Sequence, residues 1–445
     1  MEYKLTESYQ DQCIETIKRW VSVPSILDEE AVSTPFGDDI VRALELALET
    51  CENLGFKTFM DPEGYYGYAE IGEGEELMAI LCHLDVVPAG DKAKWDSDPF
   101  VAEVRDGKIY GRGTQDDKGP SVAALYAVYA LKESGYKFNK RVRFIFGTDE
   151  ETLWREMNVY NENEEKANFG FVPDADFPLT YAEKGLLQCY LVGPGSQELN
   201  LKMDGAFNIV PEEATYEGDK ADQVAKNLEE LGFEYQKDDH KIKTIGKSIH
   251  SKDADQGTNA ITRLVAGLNG VEDHVALDFI NKYVGQDANA NNLFGKIGDD
   301  MSGNLTMNIA KLIINSEESR IGVDFRIPVT ADKDKLVDTL KNAMAEYGLE
   351  YKEHDYLASL YVPVESELIQ TLLSVYRDMT GDMSEPISSG GATFARTMDN
   401  CVAFGARRPD VPVTYHEANE NMPLTNIFEC MEIYAEAVRR LATEE

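Results

Sequence analysis

Two short apolar runs constrain this chain more than any other feature: LMAILC at 77–82 and VRFIF at 142–146. Neither alternates apolar with polar residues over its length, so as strands both would be buried on both faces, as in a parallel sheet covered by helices. Between them, residues 121–133 (SVAALYAVYALKE) read as a buried helix, introduced by Gly119-Pro120 and stopped at Ser134-Gly135. Helical apolar spacing at 8–22 and 38–53 precedes the first run. Strand, helix, strand in this order predicts an α/β fold: a mostly parallel, mixed sheet sandwiched by helices.

The texture changes in the middle of the chain. Strand-like LLQCYLV, KIKTIG, LTMNIAKLII and RIGVDFRI alternate with helix-like stretches at 219–231, 258–268 and 332–346. This predicts an inserted α+β domain over 184–366, built as two similar halves. The helix and buried-strand texture then returns with IQTLLSVYRDM, CVAFGA and a helix over 423–441, so residues 1–183 and 367–445 are read as one domain. A chain of 445 residues is long enough for such a division.

Composition excludes some functions. With 81 acidic against 43 basic residues the formal charge is −38, a field that repels phosphate backbones, so no nucleic-acid partner is expected. No apolar run approaches the roughly 20 residues of a membrane helix, and the opening MEYKLTESYQ is too polar for a signal peptide. A cytoplasmic protein is the expectation. Cys13, Cys51, Cys82, Cys189, Cys401 and Cys430 are scattered without a CxxC pair, which favours buried reduced thiols over disulfides or a thiolate metal site.

The chemistry-bearing residues follow the apolar runs. His83 and Asp85 stand at positions i and i+2 just past LMAILC, where strand geometry turns them to one side. Ligand sites of open α/β sheets lie at such strand ends. Alone, a histidine there is more often structural. Gly111-Arg112-Gly113-Thr114-Gln115-Asp116-Asp117-Lys118-Gly119 is glycine-rich like a phosphate cradle, yet it lacks GK[ST], and its two acids would repel phosphate without a metal. Those acids could also simply favour a helix N-terminus. Thr148-Asp149-Glu150-Glu151, Pro173-Asp174-Ala175-Asp176 and Tyr415-His416-Glu417 complete the set. Together they offer imidazoles and carboxylates without thiolates, suited to Zn²⁺, Mn²⁺ or Co²⁺. His240, His274 and His354 lie in polar stretches and read as surface residues.

HLDVVPAGD, GRGTQDDKG, GTDEE, PDADFPLTYAEKG and HEANE, in this order, resemble the co-catalytic metallopeptidases of the aminoacylase and carboxypeptidase clan, and most closely the bacterial PepV-type dipeptidases. The resemblance spans about residues 10–440. It implies two divalent ions, zinc first with manganese or cobalt as alternatives. His83 and Asp174 would bind one, Glu151 and His416 the other, and Asp116 both. Asp85 would orient His83, and Glu150 would be the general base acting on a metal-bridging water. A cis peptide between Asp116 and Asp117 is implied as well.

The resemblance also makes the insert a lid. His250 in GKSIHSKDADQGTNA would polarise the scissile carbonyl, with Asn208 in GAFNIVPEEA helping to hold the same oxygen. Arg326 in VDFRIP would grip the substrate's free C-terminal carboxylate in a charge-assisted contact, with a bidentate geometry open to it. After His250 the chain carries Asp253 and Asp255 where relatives often have proline. The implied activity is hydrolysis of dipeptides or very short peptides by a monomer. An N-acyl-amino-acid deacylase, desuccinylase or carboxypeptidase on the same centre is the alternative, and a non-catalytic peptide- or metal-binding protein is the reading from another class.

Overall fold

The structure is a computed structural model that describes residues 3–444. The chain divides into two compact units. One contains residues up to Tyr181, Tyr361–Ile387 and the chain from Thr393 on. The other comprises Ala182–Leu360 with Ser388–Ala392.

In the first unit all seven residues of the strand Leu77–His83 are buried. Because successive side chains point to opposite faces, complete burial means that both faces are covered. This strand pairs in parallel with Arg141–Gly147 on one side and Phe169–Val172 on the other, and Cys401–Ala403 continues the parallel run. Gly67–Ile71 and Lys57–Met60 extend the sheet beyond Arg141–Gly147 in antiparallel fashion. The sheet is thus mixed with a parallel centre, as the apolar runs predict.

The helix Lys118–Glu133 is apolar nearly all round and buried over most of its length, packed between Glu7–Val21 and Leu424–Ala442. Its first residue, Lys118, is itself buried. The Nζ donates to the carbonyls of Trp20 (3.0 Å) and Val23 (2.8 Å), tying the end of the first helix to the start of this one. Burial pushes the Lys118 ammonium down to about 7.

The second unit is antiparallel. One sheet runs in the order Leu201–Asp204, Thr306–Ile314, Glu318–Ile327, Gly185–Pro194, Glu350–Leu357, and a second in the order Glu213–Glu217, Lys241–Ile245, Tyr235–Asp238. Where two similar halves are expected, the unit holds a small hairpin (Gly298–Asp299 with Gly303–Asn304) and two unequal main sheets, five strands and three. They share one apolar core with helices that include Ala221–Leu231, Ala260–Leu268 and Lys333–Ala345.

Two further expectations can be compared directly. All six cysteines are free and buried. His274, read as a surface residue, is instead only 8% exposed. Its Nδ1 accepts from the Ala276 N–H as a helix cap, and its Nε2 lies 3.1 Å from the Pro194 carbonyl. The polar neighbours that made it look superficial belong to the turn it caps. His240 and His354 are exposed.

Glu156, in the helix Arg155–Asn163, is wholly buried, and neither carboxyl oxygen has a hydrogen-bond partner among the described residues. Burial, reinforced by the charges of Asp85 and Asp149, pushes its pKa up to about 8. A carboxyl raised on folding releases its proton first in the unfolded chain, so stability falls as pH rises from about 4.5 towards 8. Glu156→Gln is therefore expected to be more stable than the parent at pH 8 by on the order of a few kcal/mol, and little different at pH 4. Denaturant melts of both proteins across that range check it, and a difference that does not vary with pH overturns it.

Candidate metal centre

Parallel pairing decides where the site forms. His83 ends one strand and pairs with Gly147 at the end of its neighbour, while Val172 ends the strand on the other side. The segments that leave these strands, carrying Glu150, Glu151 and Asp174, emerge together at the C-terminal end of the parallel strands. Asp116 comes from the glycine-rich turn before the helix Lys118–Glu133. In that turn a Cβ at Gly119 would lie 2.0 Å from the Thr114 carbonyl oxygen, so the chain passes there only as glycine.

The predicted residues of this unit converge. His83 Nε2 lies 2.8 Å from Asp116 Oδ1 and 3.5 Å from Asp174 Oδ2. His416 Nε2 lies 3.2 Å from Asp116 Oδ2 and 2.9 Å from Glu151 Oε2. Asp116 therefore stands between the two imidazoles. Donor atoms within 4.8 Å of one another form two overlapping sets, His83–Asp116–Glu151 and His83–Glu150–Asp174. His416 itself holds a left-handed backbone (φ 61°), which costs a non-glycine residue about 1–2 kcal/mol. The Asp116–Asp117 peptide bond is cis.

Asp85 adjoins His83 in a specific way. The ring Nδ1 is 3.0 Å from the Asp85 main-chain oxygen and 3.5 Å from its Oδ1. A proton on Nδ1 satisfies that carbonyl, and a cation taking the place of the proton on Nε2 would meet a lone pair directed at the carboxylates. The other Asp85 oxygen accepts from the Glu151 N–H at 3.0 Å, so one side chain links two of the converging segments.

Several participants carry no signal in the sequence beyond their motif. Asp117 accepts from the His83 N–H (3.2 Å) and the Ser121 hydroxyl (2.7 Å). Asp149 turns away from its neighbours and pairs with Arg155 at 2.7 Å, which leaves Glu150 and Glu151 to the centre. Glu420 is buried against Arg112 at 2.6 Å. Gln115 bonds through its side chain to the main chain around His416. Inclusion of Glu420 in the HEANE motif is the one hint the sequence offers for it.

Electrostatics test whether these residues suit cations. Burial pushes the carboxyl of Glu150 well above its usual range, opposed by His83 and reinforced by Asp174. Burial and Asp116 raise Glu151 to about 7, and the same two causes raise Asp174. Asp116 is lowered against its burial by hydrogen bonds from His416 and His83. His416 is carried up to about 10 by Asp116 and Glu151. Protons are thus held where negative charge is crowded into a desolvated space. A divalent ion replaces such protons and satisfies the same oxygens. With imidazoles and carboxylates converging and no thiolate among them, the donor set fits two-plus ions of the zinc or manganese kind.

The three remaining predicted residues belong to the other unit, where they adjoin one another. Ile209 and His250 form an antiparallel bridge, and the Asn208 carbonyl accepts from the Ser251 N–H at 2.8 Å. Asn208 is exposed. His250 Nδ1 accepts from the Lys252 N–H at 3.1 Å, so in the neutral ring the proton sits on Nε2. Burial, then the nearby Arg326 charge, lowers the His250 pKa and favours that neutral form. Arg326 is buried. It donates to both oxygens of Asp324 (2.8 and 3.1 Å), to Ser251 Oγ (3.0 Å) and to the Gly390 carbonyl (3.3 Å). Its Nε–Nη2 fork is already matched to Asp324, so a bidentate grip on a second carboxylate is closed and one Nη1 N–H remains.

Known proteins share the sequence pattern and the fold. Residues 79–440 match the family model described as peptidase family M20/M25/M40. A Staphylococcus aureus protein provisionally named a dipeptidase is 33% identical over 470 residues, covering 99% of each chain. Among solved structures, an M20 metallo-carboxypeptidase of Sulfolobus solfataricus has the same fold, with a TM-score of 0.61, 19% identity and coverage of 96% of this chain and 99% of that one. A dinuclear metal-binding M20 peptidase of Bacillus subtilis follows at a TM-score of 0.53 and 12% identity, covering 98% and 99%. The crowded carboxylates, the sheet that gathers them and the match over most of the chain make this protein a hydrolase of the M20/M25/M40 peptidase family.

Proposed function

We propose that this chain is a dinuclear metal-dependent dipeptidase that cleaves dipeptides or very short peptides bearing a free C-terminal carboxylate. The observation that carries the reading is Asp116 set between His83 and His416, with Asp174 beside the first imidazole and Glu151 beside the second. His83 and Asp174 would hold one ion, Glu151 and His416 the other, and Asp116 both. The Bacillus subtilis neighbour's description as dinuclear supports the pair. Zinc is the first choice, with manganese or cobalt as alternatives. Bound there, the ions supply Lewis acidity, which acidifies a water and neutralises charge developing on the scissile carbonyl oxygen.

The chain's own residues do the rest. Glu150, half-buried beside His83 and Asp174, takes the proton of the attacking water and delivers it to the departing amine, a role typically contributing 10²–10⁴-fold. Asp85 keeps the Nδ1 of His83 occupied and its ring oriented. His250 offers a neutral Nε2–H to the carbonyl oxygen, with Asn208 as a second donor, and a lost donor of this kind costs roughly 2.7–4 kcal/mol. Arg326 meets the terminal carboxylate through its remaining Nη1 N–H, which selects short substrates because a longer peptide presents a neutral amide at that point. The dipeptidase name of the Staphylococcus aureus relative supports this choice. The carboxypeptidase named among the structural neighbours keeps the deacylase and carboxypeptidase alternative in the tests. No helix among the described residues is long and apolar enough to cross a membrane. The six free thiols favour the cytoplasm.

Metal-stripped protein titrated with Zn²⁺ or Mn²⁺ in a calorimeter is expected to take up two ions per chain. Glu150→Ala should take up the same two and lose turnover by about 10²–10⁴-fold; turnover near the parent's rules Glu150 out as the base.

A panel of dipeptides, amidated dipeptides, tripeptides and N-acyl amino acids is expected to give the highest kcat/KM with free dipeptides. Arg326→Lys, which keeps a cation against Asp324 but loses the fork, should raise KM about tenfold for free dipeptides only. Faster hydrolysis of N-acyl amino acids than of any dipeptide sinks the dipeptidase reading.

The insert of about 180 residues (182–360) is long for a lid that also serves as a dimerisation domain. One chain is therefore proposed as the working unit. Light scattering should return a mass near 49.7 kDa, and a stable species of twice that mass contradicts it.

A further inference from the structure

The glycine-rich turn that looks like a phosphate cradle does cradle an anion, and the anion is the protein's own. Glu420 is completely buried. Its carboxylate accepts from the main-chain N–H groups of Gly113 (3.1 Å to either oxygen), Gln115 (2.8 Å) and Asp116 (3.2 Å), and from Arg112 Nη1 (2.6 Å). Successive N–H groups converging on one carboxylate form an anion-binding concavity. Here it is filled from a segment more than 300 residues further along the chain.

The same two segments are joined in the other direction. Gln115 extends its side chain into the strand of residues that carries His416. Its Oε1 accepts from the N–H groups of Thr414 (2.8 Å) and Tyr415 (3.1 Å), and its Nε2 donates to the carbonyls of Pro412 (3.2 Å) and Asn421 (3.1 Å). Asp116 follows Gln115 directly, and His416 follows Tyr415 directly. Each of the two neighbouring ligand candidates is thus held by a main chain that the other segment's side chain has bonded. Asp116 and His416 stand 3.2 Å apart, and the two segments are also joined through main chain, where the Gly111 N–H donates to the Glu420 carbonyl (3.0 Å).

We propose that Gln115 and Glu420 form a reciprocal clasp, and that these positioning residues set the spacing of Asp116 and His416 and with it the affinity for the cation bound on the Glu151–His416 side. The affinity half of this inference rests on the two-cation reading above. Apart from the Glu420–Arg112 ion pair, the effect of the two side chains is exerted through the main chain of the opposite segment.

Two variants of the full chain test the clasp. Gln115→Leu removes the four bonds from the Gln115 side chain to main chain without unpairing a charge, and Glu420→Gln removes the anion while keeping its shape. Amide hydrogen exchange of the metal-stripped proteins comes first. Each variant should lose protection in both segments together, so that Gln115→Leu exposes the amides of Gly113 and Asp116, which its own side chain does not bond. Calorimetric titration with Zn²⁺ alone should then show one of two affinities weakened about 10–100-fold and the other within about threefold. At saturating Zn²⁺ the KM for a dipeptide should stay at the parent value. If Glu420→Gln does not fold with Arg112 left beside it, Gln115→Leu decides alone. Protection lost only in the segment each side chain bonds overturns the clasp, as does an equal fall of both affinities. A parent protein that binds no pair of cations overturns the metal reading while the exchange result still stands on its own.

Discussion

Negative charge held at the end of a parallel sheet is the constraint on which the rest of the structure depends. Three buried strands run the same way, so the segments that follow them must surface together, and each brings at least one carboxyl group or imidazole. Carboxylates packed this closely in a desolvated space are unfavourable unless protons or cations compensate. The supporting structure is arranged to tolerate that cost. Asp117 and Asp85 hold the backbones of His83 and Glu151, Asp149 is drawn aside by Arg155, and Lys118 and Arg112 are buried nearby on main-chain and carboxylate partners.

The second unit follows a different logic. Its functional candidates sit on antiparallel strands and a short loop, and their hydrogen bonds fix states more than positions. The Lys252 N–H selects the His250 tautomer, and Asp324 takes the fork of Arg326. An arginine so engaged keeps a single free donor with little freedom to move.

Much of this was legible in the sequence because it follows from strong local rules. Unbroken apolar runs mark doubly buried strands, and a histidine or acid directly after such a run must lie at the strand's C-terminal end. The run LMAILC followed by His83 illustrates both. What stayed hidden depends on contacts between distant positions. Nothing near Gln115 distinguishes it from an ordinary turn residue, and its partners at 412–421 are found only once the chain has folded. His274 misled for a related reason, since a helix cap and a surface loop share the same polar neighbourhood. The unequal sheets of the insert were beyond reach as well, because strand count in an antiparallel sheet depends on which edges pair and not on local apolar periodicity.

The order of the ligand candidates along the chain carries a consequence for biosynthesis. His83, Asp116, Glu151 and Asp174 are all made within the first 174 residues, but His416 follows 242 positions later, beyond the whole insert. A ribosome therefore completes most of the protein before the last donor exists, and the helix Leu424–Ala442, which packs against Lys118–Glu133, is later still. A centre that needs His416 therefore cannot close until nearly the whole chain, the insert included, has been made.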